Sequence, residues 1–147
     1  MENTLEKTDL ALLFEEQVTL SDFVEYGFSM QDLVNGERIP EEGAHFDIYF
    51  EGDLIGEKIN GKISGVDYLE VRADGRFFLD LHARILTDDG AQIQVTETGI
   101  NDNGTLKLNM EFHTNDKRYS WLNRTQVLGL GTVDFNTGQA IVKGYSL

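Results

Sequence analysis

The chain has 147 residues, 40% of them hydrophobic, so a single domain with a proper core is expected. Its 26 acidic and 12 basic residues give a net charge of −14, which disfavours nucleic acid and anionic membranes as partners. It has no cysteine, which excludes disulfides and thiolate chemistry. No apolar run reaches the ~20 residues of a membrane helix, and residues 1–6 do not resemble a signal peptide. A cytoplasmic location is therefore expected.

The first part of the chain is the hardest to interpret. Residues 1–9 are polar and are expected to be flexible. The segment 10–20 ends in a strand-like alternation, although its start is compatible with a short helix. In residues 21–35, Ser21 and Asp22 are candidates to cap a helix. Helical spacing continues through Phe23, Tyr26, Met30 and Leu33. Because Gly27 and Gly36 oppose a long helix, a short helix and a loop both stay open.

From residue 44 onward the pattern is that of a strand meander. Hydrophobic residues alternate with polar ones in 44–50 and again in 105–113, which is the period of a half-buried strand. Further strands are predicted over 65–72, 76–86, 91–99, 119–135 and 139–145. The longest of these, 119–135, is expected to bend at Gly129 or Gly131. Turn sequences such as Asn60-Gly61 separate the strands.

About eight short strands at near-regular spacing predict an all-β fold, either an antiparallel barrel or a sandwich. A closed barrel is favoured because closure removes the exposed edges of so many strands. A barrel of roughly eight strands is either filled by side chains or wide enough for one small ligand. No second domain is visible, so residues 1–147 are interpreted as one domain.

Several short motifs resemble a known family. They are the run Gly61 to Tyr68, the stretch Val71-Arg72-Ala73-Asp74-Gly75, Leu79-Asp80, Thr87-Asp88-Asp89-Gly90-Ala91, and Arg118-Tyr119-Ser120-Trp121-Leu122-Asn123. Their order and spacing over residues 36–147 look like the uncharacterised barrel family called domain of unknown function 3237. The resemblance implies a lipocalin-like closed barrel and no established activity. The chain departs from the family at His82, where Arg is usual, and at Tyr68, where Trp is common.

The strand 78–84 carries the best candidate for chemistry. Asp80, His82 and Arg84 alternate with leucine and alanine, so the three polar side chains share one face. An aspartate can orient an imidazole and raise its basicity, and an arginine can hold a carboxylate or an enolate. These are the parts of a proton-transfer site. The alternative is the solvent face of an amphipathic strand, and the sequence does not decide which face is interior.

A second candidate is the segment with the only tryptophan. If it is extended, Tyr119, Trp121 and Asn123 share a face and would hydrogen-bond, stack on a ring and bind a carbonyl oxygen. The alternative is a core aromatic pair with an asparagine that closes a turn.

A third group lies in the strand 65–72. Tyr68, Glu70 and Arg72 are expected to face one way and Asp67 the other. Tyr68 and Arg72 are counted as ligand-binding candidates, beside the alternative of structural ion pairing. Glu97 continues the apolar row of the strand 91–99, where an acid is unusual unless it is paired or functional. It is a further ligand-binding candidate.

The known cofactor motifs are missing. The histidines, His45, His82 and His113, lie on separate strands without metal-ligand spacing. No phosphate-binding loop and no G-x-S-x-G elbow occur. We therefore expect no metal and no cofactor.

Together these patterns predict a barrel that binds a small hydrophobic or aromatic molecule. With acid–base residues in the cavity it would be a cofactor-independent isomerase, cyclase or lyase. The alternatives are a binding protein without chemistry, or a filled barrel that acts through self-association as a homo-oligomer.

Overall fold

A computed structural model describes residues 9–146. Its eight strands form one closed antiparallel barrel in chain order. The strands are β1 (Ala11–Glu25), β2 (Ala44–Ile55), β3 (Gly61–Val71), β4 (Phe77–Thr87), β5 (Gln92–Asp102), β6 (Thr105–His113), β7 (Val127–Asp134) and β8 (Gln139–Ser146). One short helix, α1 (Met30–Val34), lies between β1 and β2, and a 3₁₀ turn (Ser120–Arg124) precedes β7. The predicted all-β closed barrel is confirmed, and of the helix and loop left open for residues 21–35 the structure has a short helix. The flexibility expected of residues 1–9 concerns mainly residues outside the described part.

The first strand closes the barrel. It has 15 residues and pairs with β2 along one side and with β8 along the other. The register shifts between Leu20 and Asp22 on the β2 side and between Leu12 and Phe14 on the β8 side. Such bulges bend a strand and increase its twist, which allows β1 to complete the cylinder without leaving an open edge.

Side-chain alternation places the core inside the cylinder. In β6, Leu106, Leu108, Met110 and Phe112 are buried, while the residues between them face solvent. The same period-two pattern holds along β2 and β5, as expected for strands with one dry face. The predicted strand over 105–113 is therefore confirmed with the same bounds.

Tight turns set the register of the hairpins. Between β5 and β6, Asn103 has a φ of 52° and Gly104 a φ of 91°. Two successive residues with positive φ make the turn type that matches the twist of a two-stranded hairpin. Because only glycine and asparagine adopt this geometry at low cost, the sequence Asn-Gly ties β5 to β6.

The helix begins later than its first candidate caps. Strand β1 continues through Phe23 to Glu25, so Ser21 and Asp22 do not cap a helix. The cap is Ser29, whose side chain accepts a hydrogen bond from the backbone N–H of Asp32. In return, the carboxylate of Asp32 accepts a hydrogen bond from the backbone N–H of Ser29. Residues 22–25 pair with β2 instead. An isolated helix of that length would be only marginally stable in water.

The prediction of one long strand over 119–135 was wrong. Residues 120–124 form a 3₁₀ turn, and β7 begins only at Val127. The side chain of Asn123 accepts a hydrogen bond from the backbone N–H of Thr114 and donates one to its carbonyl, both at 2.8 Å. These bonds replace the backbone pairing that a strand would have needed, and they hold the turn across the end of the barrel.

The two ends of the barrel differ. One end is closed by the 3₁₀ turn, where Leu122 is fully buried and Tyr119 nearly so. At the other end lie the β3–β4, β5–β6 and β7–β8 turns and the segment with α1, and this end is called the mouth. Over residues 9–146, no helix is both long and apolar enough to span a membrane.

Candidate functional site

A cavity lies inside the barrel on the side of the mouth. Its volume is about 50 Å³, the room of a few water-sized spheres. The wall is almost wholly apolar, apart from three acids and one amide. It is lined by Glu16, Val18, Leu20, Ile48, Phe50, Asp67, Leu69, Leu79, Leu81, Glu97, Asn101, Leu106, Leu108, Val133, Phe135, Ala140 and Val142.

The three acids come from three different strands. Glu16 lies on β1 between the buried Phe14 and Val18, and Glu97 follows the buried Val95 on β5. Asp67 lies on β3. Each occupies an inward position of the two-residue strand period, so the pattern that builds the core also carries the carboxyl groups into it.

Asp67 and Glu97 lie at the same height in the barrel. Leu81 of β4 is the register partner of Asp67 on one side and of Glu97 on the other. Two inter-strand spacings separate their backbones by about 10 Å. Side chains that point inward from such a concave wall converge, so both carboxyl groups can reach one small molecule.

Burial controls the protonation of these acids. It raises the pKa of Glu97 to about 8, with a further contribution from the charge of Asp67. It also raises the pKa of Asp67 to about 7, partly opposed by a backbone hydrogen bond from Asp80. The pKa of Glu16 is raised well above its usual range by burial and by the charge of Glu97. Desolvation penalises the charged form, and among residues 9–146 no Lys or Arg lines the cavity to offset it.

Two of the acids have unsatisfied oxygens. Within residues 9–146, neither carboxyl oxygen of Glu97 has a hydrogen-bond partner, and the same is true of Oε1 of Glu16. Glu97 is only 1% exposed. Buried polar groups in native proteins are usually paired, so oxygens left unpaired in a cavity are suited to bind a ligand.

Asp67 lies where the backbone pairing of β3 with β4 is interrupted without a change of register. The register of β3 with β4 passes from Asp67 and Leu81 to Glu70 and Phe78. In between, the backbone N–H of Asp80 donates to Oδ1 of Asp67 at 3.1 Å. This bond fixes one carboxyl oxygen and leaves the other toward the cavity wall.

This arrangement can move protons. At neutral pH a carboxyl group with a pKa near 8 is mostly protonated, whereas one with a pKa near 7 is present in both forms. A donor and an acceptor therefore face one apolar space, which is the requirement for paired acid–base catalysis. In the described part of the chain, no three His, Asp or Glu side chains come close enough together to hold a metal ion.

The polar row of β4 points away from this space. Asp80, His82 and Arg84 are exposed on the outer surface, because the residues between them fill the interior. Asp80 and His82 do contact each other at 3.1 Å, with both side chains about half exposed. They do not line the cavity, so the proton-transfer site expected inside the barrel is not built from this row.

The candidates on β3 divide as their alternation predicts. Asp67 points inward, whereas Tyr68 is 47% exposed and packs its ring edge-to-face against His82 on the outer surface. Arg72 follows the end of β3 and is exposed at the mouth. Neither Tyr68 nor Arg72 lines the cavity. Of the proposed ligand-binding residues, Glu97 alone does so.

The tryptophan segment lies at the closed end. The hydroxyl of Tyr119 donates to the carboxylate of Asp89 at 2.9 Å, and Asn123 holds the backbone of Thr114. Trp121 is half buried against the core, with the ammonium of Lys58 5.9 Å from its ring centre. Since residue 121 belongs to a 3₁₀ turn, the three side chains do not share a strand face, and none of them lines the cavity.

Sequence reasoning missed two of the three buried acids. A signal was present for Glu16, which occupies an inward position between Phe14 and Val18, as Glu97 does after Val95. Asp67 was assigned to the opposite face from its neighbours, but that face was not recognised as the interior. An acid in phase with buried hydrophobic residues is the feature common to all three.

The chain belongs to the family described as "Protein of unknown function (DUF3237)", whose model matches residues 9–107. This match includes all three buried acids. The tryptophan segment lies beyond it.

A curated relative carries an enzymatic name. The hydroalkoxylation enzyme phnH of Penicillium herquei is 34% identical over 79 residues, which are 53% of this chain and 50% of that protein. The match therefore spans about half the length of that relative.

Solved structures share the whole fold. A beta-barrel-like protein from Acinetobacter baumannii has a TM-score of 0.79 at 23% identity, with 98% of this chain and 99% of that chain covered. An enzyme from Penicillium herquei has a TM-score of 0.73 at 23% identity, covering 99% and 98% respectively. At this level of identity, the likeness shows that the barrel architecture is common to them.

Proposed function

We propose that this barrel is a cofactor-independent enzyme that transfers protons within a hydrophobic or aromatic substrate whose reacting part is neutral. Three carboxyl groups in an otherwise apolar cavity are the observation that supports it. Buried acids without a charge partner destabilise a core. Such groups, with strongly shifted pKa values, are commonly found at active sites. Isomerases, cyclases and lyases share this chemistry.

Glu97 is the general acid in this proposal, and Asp67 is the base. Glu97 has the higher pKa and carries a proton at neutral pH. Asp67 reaches its ionised form more readily, because the N–H of Asp80 stabilises its charge. Glu16, on the strand β1, adds a further buried carboxyl group, with a raised pKa, that can hydrogen-bond a substrate oxygen.

The named relative suggests which reaction to test first. Hydroalkoxylation adds the O–H of an alcohol or phenol across a carbon–carbon double bond. The O–H bond and the π bond break, a C–O bond and a C–H bond form, and no atom leaves. Such a step needs one group to accept the hydroxyl proton and another to donate a proton to carbon, which are the roles given to Asp67 and Glu97.

A direct test uses 2-prenylphenol as a probe in D₂O. Ring closure to the cyclic ether, followed by NMR, should proceed faster with the protein than without it, and should place one deuterium on carbon. Glu97→Gln and Asp67→Asn should each lower the rate at least tenfold. Glu111→Gln, which changes an exposed acid on β6, serves as the control and should retain the rate.

Equal rates with and without protein for this and related alkenyl phenols would reject hydroalkoxylation. If the protein binds these compounds but exchanges no proton with them, the barrel is a binding protein and the catalytic proposal fails.

A further inference from the structure

A second pocket lies on the rim of the mouth. Its volume is about 380 Å³, and it spans the beginning of β4 and the end of β5. Asn101 and Phe135 border both this rim pocket and the inner cavity. The two spaces are therefore neighbours, and a molecule longer than the cavity would extend into the rim pocket.

Three phenylalanine side chains contribute to the wall of the rim pocket. Phe77 and Phe78 lie on opposite faces of β4, and Phe135 lies at the β7–β8 turn. All three are only partly buried. A flat aromatic ring is the kind of ligand that such a wall binds by stacking and by burial of apolar area.

Two arginines lie beside the ring of Phe78, and one of them, Arg76, also lines the rim pocket. The guanidinium of Arg72 is 4.2 Å from the ring centre of Phe78, and that of Arg76 is 5.9 Å from it. A backbone hydrogen bond between these two residues closes the β3–β4 turn at 2.8 Å. The turn thus holds two cations beside one aromatic ring, in a chain with only 12 basic residues.

The acids nearby leave much of each guanidinium free. Asp74 binds Nε of Arg76 at 2.8 Å, and Glu70 approaches Nε of Arg72 only to 3.7 Å. Asp102, also on the rim, is paired with Lys107 at 3.3 Å. Over residues 9–146, the Nη atoms of both arginines have no hydrogen-bond partner. They form the forked donors that bind a carboxylate or a phenolate.

We propose that the rim pocket binds the anionic aromatic end of an elongated substrate, whose neutral reactive end enters the cavity. The position of this subsite in catalysis rests on the proposed function. One ligand would then place its charged end in the rim pocket and its uncharged end in the cavity. The apolar interior disfavours a charged group, and the arginines at the rim accept it.

The test compares 2-naphthoate with 2-naphthamide, which has the same rings without the charge. Titration by ¹⁵N–¹H NMR should show 2-naphthoate binding at least fivefold more tightly. Its largest shifts should fall on the amides of Phe78, Ile100 and Asn101. Arg72→Gln with Arg76→Gln should remove the fivefold preference and leave 2-naphthamide within twofold. The control variant Lys117→Gln with Arg124→Gln loses the same charge at the closed end and should keep the fivefold preference for 2-naphthoate.

Shifts centred away from the rim, or a preference that survives the Arg72 and Arg76 changes, would overturn the subsite. Its failure is separable from that of the proposed function. A naphthoate preference that depends on the two arginines, found together with no cyclisation of prenylphenols, supports the rim subsite and rejects the reaction. Cyclisation without the naphthoate preference supports the reaction and rejects the rim subsite.

Discussion

The carboxyl group of Asp67 inside the barrel is linked through the wall to Asp80 on its outer surface. The link is the hydrogen bond of 3.1 Å from the backbone N–H of Asp80 to Oδ1 of Asp67. The exposed Asp80 carboxylate contributes to raising the pKa of Asp67. A residue outside the cavity thereby influences the protonation of one inside it.

Asp80→Asn should therefore lower the pKa of Asp67. The substitution removes a negative charge but leaves the backbone N–H in place, so the ionised form of Asp67 becomes less unfavourable. A ¹³C NMR titration of the Asp67 carboxyl carbon measures the shift. Asp88→Asn, at an exposed position in the β4–β5 turn, should leave that titration unchanged. A higher pKa in the Asp80 variant would contradict this account.

The stability of the protein should fall as pH rises from about 4 to about 8. Asp67 and Glu97 have pKa values near 7 and 8 in the folded state, above those of the unfolded chain. Between the unfolded and folded pKa, the unfolded state releases protons that the folded state keeps, so alkaline conditions favour unfolding. Each pKa unit corresponds to about 1.4 kcal/mol.

Urea unfolding at pH 5 and pH 8 measures this dependence. The double variant Asp67→Asn with Glu97→Gln should lose most of it, whereas Glu111→Gln should retain it. A wild-type protein that becomes more stable toward pH 8 would show that these acids are ionised and paired in the folded state.

Glu97→Met should stabilise the fold and abolish turnover. The thioether replaces a buried carboxyl that has no hydrogen-bond partner in the described residues with an apolar chain of similar length. Removing the desolvation cost is worth about 1–3 kcal/mol. Thermal unfolding at pH 8 should move to higher temperature while the cyclisation rate falls to background. Loss of stability in this variant would indicate a partner for Glu97, and a stable variant with full activity would remove Glu97 from the mechanism.

Much of the fold follows from local pattern. The alternation in β6 and the Asn103-Gly104 turn are local signals, and both specify structure without help from distant residues. The 3₁₀ turn at 120–124 was not predictable in this way. It depends on the side chain of Asn123 binding the backbone of Thr114, nine residues earlier in the chain.

The candidate site was predicted less well, because the polar row of β4 was selected for its chemistry although the hydrophobic row marks the interior. On β4, the row with Asp80 and His82 and the row with Leu79 are both regular. Here the leucine row faces inward, so hydrophobicity alone identifies the interior correctly. For Glu97 this rule leads to the cavity. For Asp67 the same rule also points inward, because it is in phase with Ile63, Leu69 and Val71 on its own strand.

Trp121 fluorescence should not report occupancy of the cavity. The residue lies on the 3₁₀ turn at the closed end, whereas the cavity opens toward the mouth, and Trp121 is absent from its lining. A ligand bound beside Glu97 should leave the emission maximum of Trp121 unchanged, because an indole reports mainly its own surroundings. In contrast, Phe135→Trp places an indole where the cavity meets the rim pocket, and its emission should change when 2-prenylphenol binds. The double variant Phe135→Trp with Trp121→Phe isolates the new signal. A large change at Trp121 with none at position 135 would place the ligand at the closed end and contradict the site described above.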